Sequence, residues 1–258
     1  MSVPDSSMKE AKPNPLTGVF ALLYGIITYL IFLAASLYSI GFLGKLPLPT
    51  TIDSGHPDTL TRAIAIDLAL LSLFAAQHSV MARPAFKRWW TRIIPASIER
   101  STYVLLSSLI QILLFWQWRP IQNEIWTVTD PLAAGAITAL FWIGWAVVFS
   151  TTYLLNHYEF FGLSQVMARF LNRQLPAPAF RTPLFYKFVR HPLYFGFLLA
   201  FWATPTMTAG HLLFALATTG YILVGIQLEE RDLIQVFGDQ YRRYRKQVSM
   251  LIPMPRRN

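Results

Sequence analysis

Residues 16–43 carry no charged side chain. In a helix such a run extends about 42 Å at ~1.5 Å per residue, enough to cross a hydrocarbon core of roughly 30 Å with tilt to spare. Lipid offers no water to the backbone N–H and C=O groups, so a helix is the form this stretch must take. Further apolar runs occupy 60–82, 101–118, 131–155 and 192–227. A secretory leader would have a short apolar core and a cleavage site ahead of a polar mature chain; 16–43 is therefore expected to stay as a span. Residues 192–227 are long enough for two shorter spans, and Thr204-Pro205 interrupts them, because proline removes a backbone donor and disfavours a continuous helix. A helical hairpin is the preferred reading and one kinked helix the alternative. The expected fold is all-α, a polytopic membrane helix bundle of five to six spans, with residues 1–258 forming a single domain.

The chain is 54% hydrophobic and only 14% charged, too apolar for an ordinary soluble domain of 258 residues. It has no cysteine, which removes disulfides, thiolate metal sites and a cysteine nucleophile. No His-x-Glu-x-x-His spacing occurs, so no metal site is expected. A net charge of +9 would suit nucleic acid in a soluble protein; here basic loops beside anionic membrane lipid explain it better. Neither nucleic acid nor an obligate protein partner is expected. Arg83, Lys87, Arg88, Arg92 and Arg100 follow the second run, and Arg169, Arg173, Arg181, Lys187 and Arg190 lie between the fourth and fifth. The other two connections hold only Lys45 and Arg119 among their main basic residues, so the basic side, with both termini, is expected to be cytoplasmic. From Leu228 the chain turns charged and aromatic. Leu233, Phe237, Tyr241, Tyr244 and Val248 recur at spacings of three and four, predicting one amphipathic helix with Arg242, Arg243, Arg245 and Lys246 elsewhere on its circumference, ended by Pro253 and Pro255.

Ionisable groups at membrane segments are costly, which makes them candidates for function. Arg190 and His191 stand where a loop enters the fifth region, and Glu229, Glu230, Arg231 and Asp232 stand where that region leaves. A hairpin would bring these together as cations for a carboxylate, carboxylates for an ammonium or ribose hydroxyls, and a glycine, Gly196, for close approach of a flat ring. A solvated charged border at a helix end accounts for the same residues equally simply.

Arg190-His191-Pro192-Leu193-Tyr194-Phe195-Gly196, Glu229-Glu230-Arg231-Asp232-Leu233, Phe237-Gly238-Asp239-Gln240-Tyr241-Arg242-Arg243-Tyr244 and the closing Leu251-Ile252-Pro253 resemble the C-terminal half of the isoprenylcysteine carboxyl methyltransferase and phospholipid methyltransferase group. The first half narrows the resemblance. Gln77-His78-Ser79-Val80-Met81-Ala82-Arg83-Pro84, Asn156-His157-Tyr158-Glu159-Phe160-Phe161-Gly162 and Thr204-Pro205-Thr206-Met207-Thr208-Ala209-Gly210-His211 are similar to bacterial methanethiol S-methyltransferases. The resemblance implies S-adenosylmethionine as cofactor, a small thiol as substrate and the bacterial inner membrane as location. It places Arg190, His191, Tyr194, Gly196, Glu229, Glu230 and Arg243 at the cofactor. Methylation of an isoprenoid or lipid, or a non-catalytic membrane protein on the same scaffold, are the alternatives.

Only a thiolate is a good nucleophile, so the implied reaction needs a base. His157 is the first candidate, oriented by Glu159, and His78 the second. A structural hydrogen bond suits either histidine as well. Asp67 is expected to pair with Arg62 or to bond within the bundle, His211 to lie far from the cofactor, and His56 to be solvated in an outer loop. Some of the tryptophans should line a small apolar pocket.

Overall fold

The computed structural model describes residues 15–176 and 179–253. Its elements in chain order are α1 (Pro15–Leu43), α2 (Leu60–Ala82), α3 (Pro84–Trp90), α4 (Ala96–Gln117), β1 (Glu124–Thr127), α5 (Pro131–Leu154), α6 (His157–Phe160), α7 (Leu163–Phe170), a 3-10 turn (Leu184–Lys187), α8 (Pro192–Trp202), β2 (Thr206–Thr208), α9 (Ala209–Phe237) and α10 (Asp239–Gln247). Helices α1, α2, α4, α5 and α9 are each long and apolar enough to cross a membrane, and the protein is an integral membrane helix bundle.

Local chemistry sets the boundaries. Asp130 caps α5 by accepting from the Ala133 N–H at 2.7 Å, with Pro131 in the first turn. Thr208 does the same for α9, accepting from the His211 N–H at 3.2 Å. The break at Thr204-Pro205 is a true reversal, because β2 pairs antiparallel with β1 from the α4–α5 connection. Lys45 ties the α1–α2 connection to the same corner, pairing with Asp53 and donating to the Thr206 carbonyl at 2.7 Å. Asp53 in turn accepts from the Thr208 hydroxyl at 2.6 Å. So α8 and α9 form the hairpin expected.

The 11 residues of α8 rise about 16 Å, short of a full crossing. The helix lies against α5, where Gly196 and Gly144 let the backbones approach. A β-carbon on Gly196 would stand 2.8 Å from the Gly144 carbonyl oxygen and 3.0 Å from the Val148 nitrogen. The interior joins Phe42, Phe115, Trp118, Trp145, Phe201 and Phe214 into one aromatic-rich cluster.

Three expectations need correction. Helix α4 starts at Ala96 rather than 101, because a charged first turn is compatible with a helix that merely begins outside the apolar slab. Helix α9 runs on to Phe237, ten residues beyond 227, since nothing in Leu228 to Val236 breaks a helix. The single amphipathic tail helix is divided at Gly238, whose φ of +55° suits glycine, into the end of α9 and α10, and Val248 is already extended. For Asp67 the structure has the second of the two expected alternatives, a bond within the bundle: it accepts from the Arg119 backbone N–H at 2.9 Å, while Arg62 reaches Asp58. Pro255 lies outside the described residues, as do the first 14.

Candidate active site

A cavity of about 390 Å³ opens within the bundle, walled by α1, α2, α4, α5, α8 and α9. Most of its surface is apolar, with Trp145 the one tryptophan on the wall. The titratable groups gather toward the basic side: His78, Arg100, Tyr103, His157, Tyr194 and Tyr221, with uncharged polar groups such as Ser39 and Gln111 further along the spans. Both histidines singled out in the sequence therefore face one space.

Their environments differ. The His157 Nδ1 is 2.8 Å from the Thr152 hydroxyl, whose own proton goes to the Phe149 carbonyl at 2.8 Å. Thr152 must then accept, which puts the proton of neutral His157 on Nδ1 and leaves Nε2 to accept from the Tyr29 hydroxyl at 2.8 Å. Stacking on Tyr153, with ring centroids 4.2 Å apart, completes the clamp. Burial pulls the His157 imidazole below its ordinary pKa. Glu159, expected to orient this ring, instead accepts from the Asn156 side chain at 2.7 Å; the four-residue α6 turns it away from the imidazole, and two hydroxyls take its place.

His78 keeps a nitrogen in reserve. Its Nδ1 is 3.3 Å from the Ser107 hydroxyl, and Ser107 donates onward to the Tyr103 carbonyl at 2.9 Å or the Gln77 carbonyl oxygen at 3.1 Å. The imidazole must donate from Nδ1, so Nε2 carries the lone pair. Among the described residues no hydrogen bond engages that Nε2. Phe74 stacks on the ring at 5.2 Å between centroids, with Tyr103 at 5.0 Å and Tyr221 at 6.3 Å around it.

The hairpin brings Arg190, His191, Tyr194, Glu229 and Glu230 into one cluster at the basic side. Arg190 donates to Glu230 at 2.7 Å, and His191 Nε2 stands 3.1 Å from the same oxygen. Arg245 of α10 approaches the other Glu230 oxygen at 3.4 Å. Arg190 also donates to the carbonyls of Arg245 and Val248, and its backbone N–H to that of Ser249, strapping the tail onto the start of α8. Tyr244 seals the strap by donating to the Tyr186 carbonyl at 2.6 Å, and burial pushes its phenol up to about 12. Arg190 and Glu230 are thus spent largely on each other. Glu229 is more open: its side chain keeps 44% of its surface exposed, 3.9 Å from His191 Nδ1, and its carboxylate lies near Tyr194, which is on the cavity wall. Gly196 faces α5 instead of this cluster, so the close approach it permits is that of a helix. Arg243 is exposed on α10. His211 is buried beside β2 at the opposite end of α9, its Nε2 bonded to the Phe201 carbonyl at 2.9 Å, and His56 is exposed.

Three residues that sequence reading passed over belong to this region. Arg100 counted only as loop charge until α4 was seen to begin before it; Tyr29 and Thr152 look like ordinary span residues, and only the fold joins them to His157.

A membrane bundle with titratable groups lining an enclosed apolar cavity, beside a charged cluster at one membrane face, has the make-up of an integral membrane enzyme. Comparison with known proteins supplies the class. The chain is 56% identical over 236 residues to "Methanethiol S-methyltransferase 1" of Bradyrhizobium diazoefficiens, covering 92% of this chain and 83% of that one. It is 53% identical over 237 residues to the "Methanethiol S-methyltransferase" of Mycobacterium tuberculosis, covering 92% and 97%. At lower similarity, Nurim of Sus scrofa is 32% identical over 182 residues, covering 66% and 68%. No family model matches the chain, and no solved structure matches it. The chain belongs to the methanethiol S-methyltransferases, a family of methyl-transferring enzymes.

Proposed function

We propose that this protein moves a methyl group from S-adenosylmethionine to methanethiol, giving dimethyl sulfide, inside the cavity between α2, α4 and α9. The observation that carries the reading is the free Nε2 of His78 on an apolar cavity wall, in a chain more than half identical to named methanethiol S-methyltransferases. His78 is preferred to His157 as the base because both nitrogens of His157 are held by hydroxyls. His157 then serves to position α1 against the end of α5.

The donor set suits an amino-acid nucleoside. Tyr194 and the exposed carboxylate of Glu229 would hold its hydroxyl or ammonium groups, with His191 behind them and the Arg190–Glu230 pair fixing the wall. When bound, S-adenosylmethionine supplies an electrophilic methyl group on a positively charged sulfur. The chain's part is to take the thiol proton at His78 Nε2 and keep water out. Opposite charges cancel as thiolate and sulfonium react, so a dry site favours the step once the thiolate exists. The basic loops, Arg83 to Arg100 and Arg169 to Arg190, support a cytoplasmic face for the cluster and an inner-membrane location.

Purified protein in detergent, given S-adenosylmethionine and methanethiol, should release dimethyl sulfide. His78→Ala should abolish most of that turnover with donor binding retained, while His157→Ala should lower stability more than the rate constant of a folded enzyme. Absence of dimethyl sulfide from the wild type would refute the reaction, and full activity in His78→Ala would refute the assigned base.

A further inference from the structure

Among the described residues, Arg100 is a charge with no carboxylate paired to it. It sits just past the first turn of α4 and lines the cavity. Its Nε donates to the Phe160 carbonyl at 2.7 Å, and the guanidinium lies 5.0 Å from the Tyr103 ring and 5.1 Å from the Phe160 ring. Those contacts fix the group without supplying a negative charge. Among the described residues no carboxylate pairs with Arg100, and none of its hydrogen bonds uses Nη1 or Nη2, so the outer donors of the fork are unspent. Two other arginines near this face are paired: Arg83 with Asp232 at 2.9 Å and Arg190 with Glu230 at 2.7 Å.

A permanent cation held against a largely apolar cavity is costly unless an anion visits it. The anion's place is given by the neighbours. Tyr103, under the guanidinium, is also the ring 5.0 Å from His78, so the cation and the free imidazole nitrogen flank the same side chain. Glu229 and Tyr194, the groups suited to the donor, belong to α9 and α8.

We infer that Arg100 is the binding site for the substrate sulfur as its thiolate, a role that rests on the reaction proposed above. His78 Nε2 takes the S–H proton, and the sulfur becomes an anion beside the guanidinium. A sulfur electron pair then forms the new carbon–sulfur bond as the donor's sulfonium–methyl bond breaks, its pair staying on the donor sulfur as a neutral thioether. Arg100 keeps its charge throughout. Its contribution is to make a thiolate affordable in a site too apolar to solvate one.

The test compares wild type, Arg100→Gln and Arg100→Lys, measuring kcat and KM for methanethiol and, separately, donor affinity by calorimetry and the unfolding midpoint. Arg100→Gln should lose about 10²–10³-fold in kcat/KM for the thiol, with donor affinity and midpoint kept, and Arg100→Lys should recover part of that loss. Thiocyanate, a small anion, should inhibit the wild type competitively against methanethiol and not against the donor, a readout independent of whether the variants fold. Retained thiol kcat/KM in Arg100→Gln, equal loss of donor affinity, or thiocyanate competing with the donor would each overturn the assignment. Active wild type with any of these results removes the role of Arg100 alone; inactive wild type removes the reaction and the role together.

Discussion

Gly196 separates two accounts of one residue, as a cofactor contact or as the crossing point of two helices. In the structure a β-carbon there would stand 2.8 Å from the Gly144 carbonyl oxygen and 3.0 Å from the Val148 backbone nitrogen, against 3.4 Å or more in ordinary contact. The deficit is about 0.6 Å against backbone atoms, which cannot rotate away, so α5 and α8 must separate. Overpacking of this kind costs about 1–3 kcal/mol. At about 2–4 °C per kcal/mol for a chain of this size, Gly196→Ala should lower the unfolding midpoint by several degrees. Gly220→Ala is the control, because nothing lies within 4 Å of the added carbon; in a helix interior it should be neutral or stabilising. Scanning fluorimetry in detergent measures both variants, with calorimetric titration of S-adenosylmethionine alongside. A Gly196→Ala protein that unfolds at the wild-type temperature but no longer binds the donor would refute the packing account.

Two other outcomes follow from the site. Glu230→Gln removes the negative charge shared by Arg190, His191 and Arg245 and turns one of its acceptor oxygens into a donor; the Arg190 and Glu230 side chains are only 10% and 9% exposed, so the loss should approach the roughly 3–5 kcal/mol of a broken buried pair. Trypsin should then cut the loosened tail at Arg242 to Lys246 faster than in wild type, and an unchanged rate would sink the strap. Burial lowers the His157 pKa in the folded protein, so below about pH 6.5 the unfolded chain binds the proton more readily and stability declines as pH falls. Unfolding midpoints between pH 7.5 and 5, as an order-of-magnitude window around that value, should drop less in His157→Gln than in wild type.

The sequence made the spans legible because lipid imposes one rule on every residue of a crossing, and the Thr204-Pro205 break read correctly as a reversal for the same backbone reason. Hydropathy fails where a helix leaves the apolar slab. It starts the third span at 101 and so leaves Arg100 in a loop, while α4 in fact carries that residue onto the cavity wall. The clustering of Arg190, His191, Glu229 and Glu230 followed from the hairpin. How they divide their bonds did not, since Glu230 faces the tail and Glu229 faces Tyr194 although the two are adjacent. Glu159 was chosen as a carboxylate two positions from His157; in helix geometry neighbours at that spacing point apart. The hydroxyls that hold His157, from Tyr29 and Thr152, come from residues with no distinguishing chemistry in the sequence.

The shortness of α8 bears on how the chain is made. Eleven apolar residues are too few for stable independent insertion, so α8 has no resting place in the bilayer until α5 is present to receive it. The ribbon that joins β2 to β1 cannot form until the α4–α5 connection has been delivered. Synthesis therefore reaches the last quarter of the protein with its docking face already built.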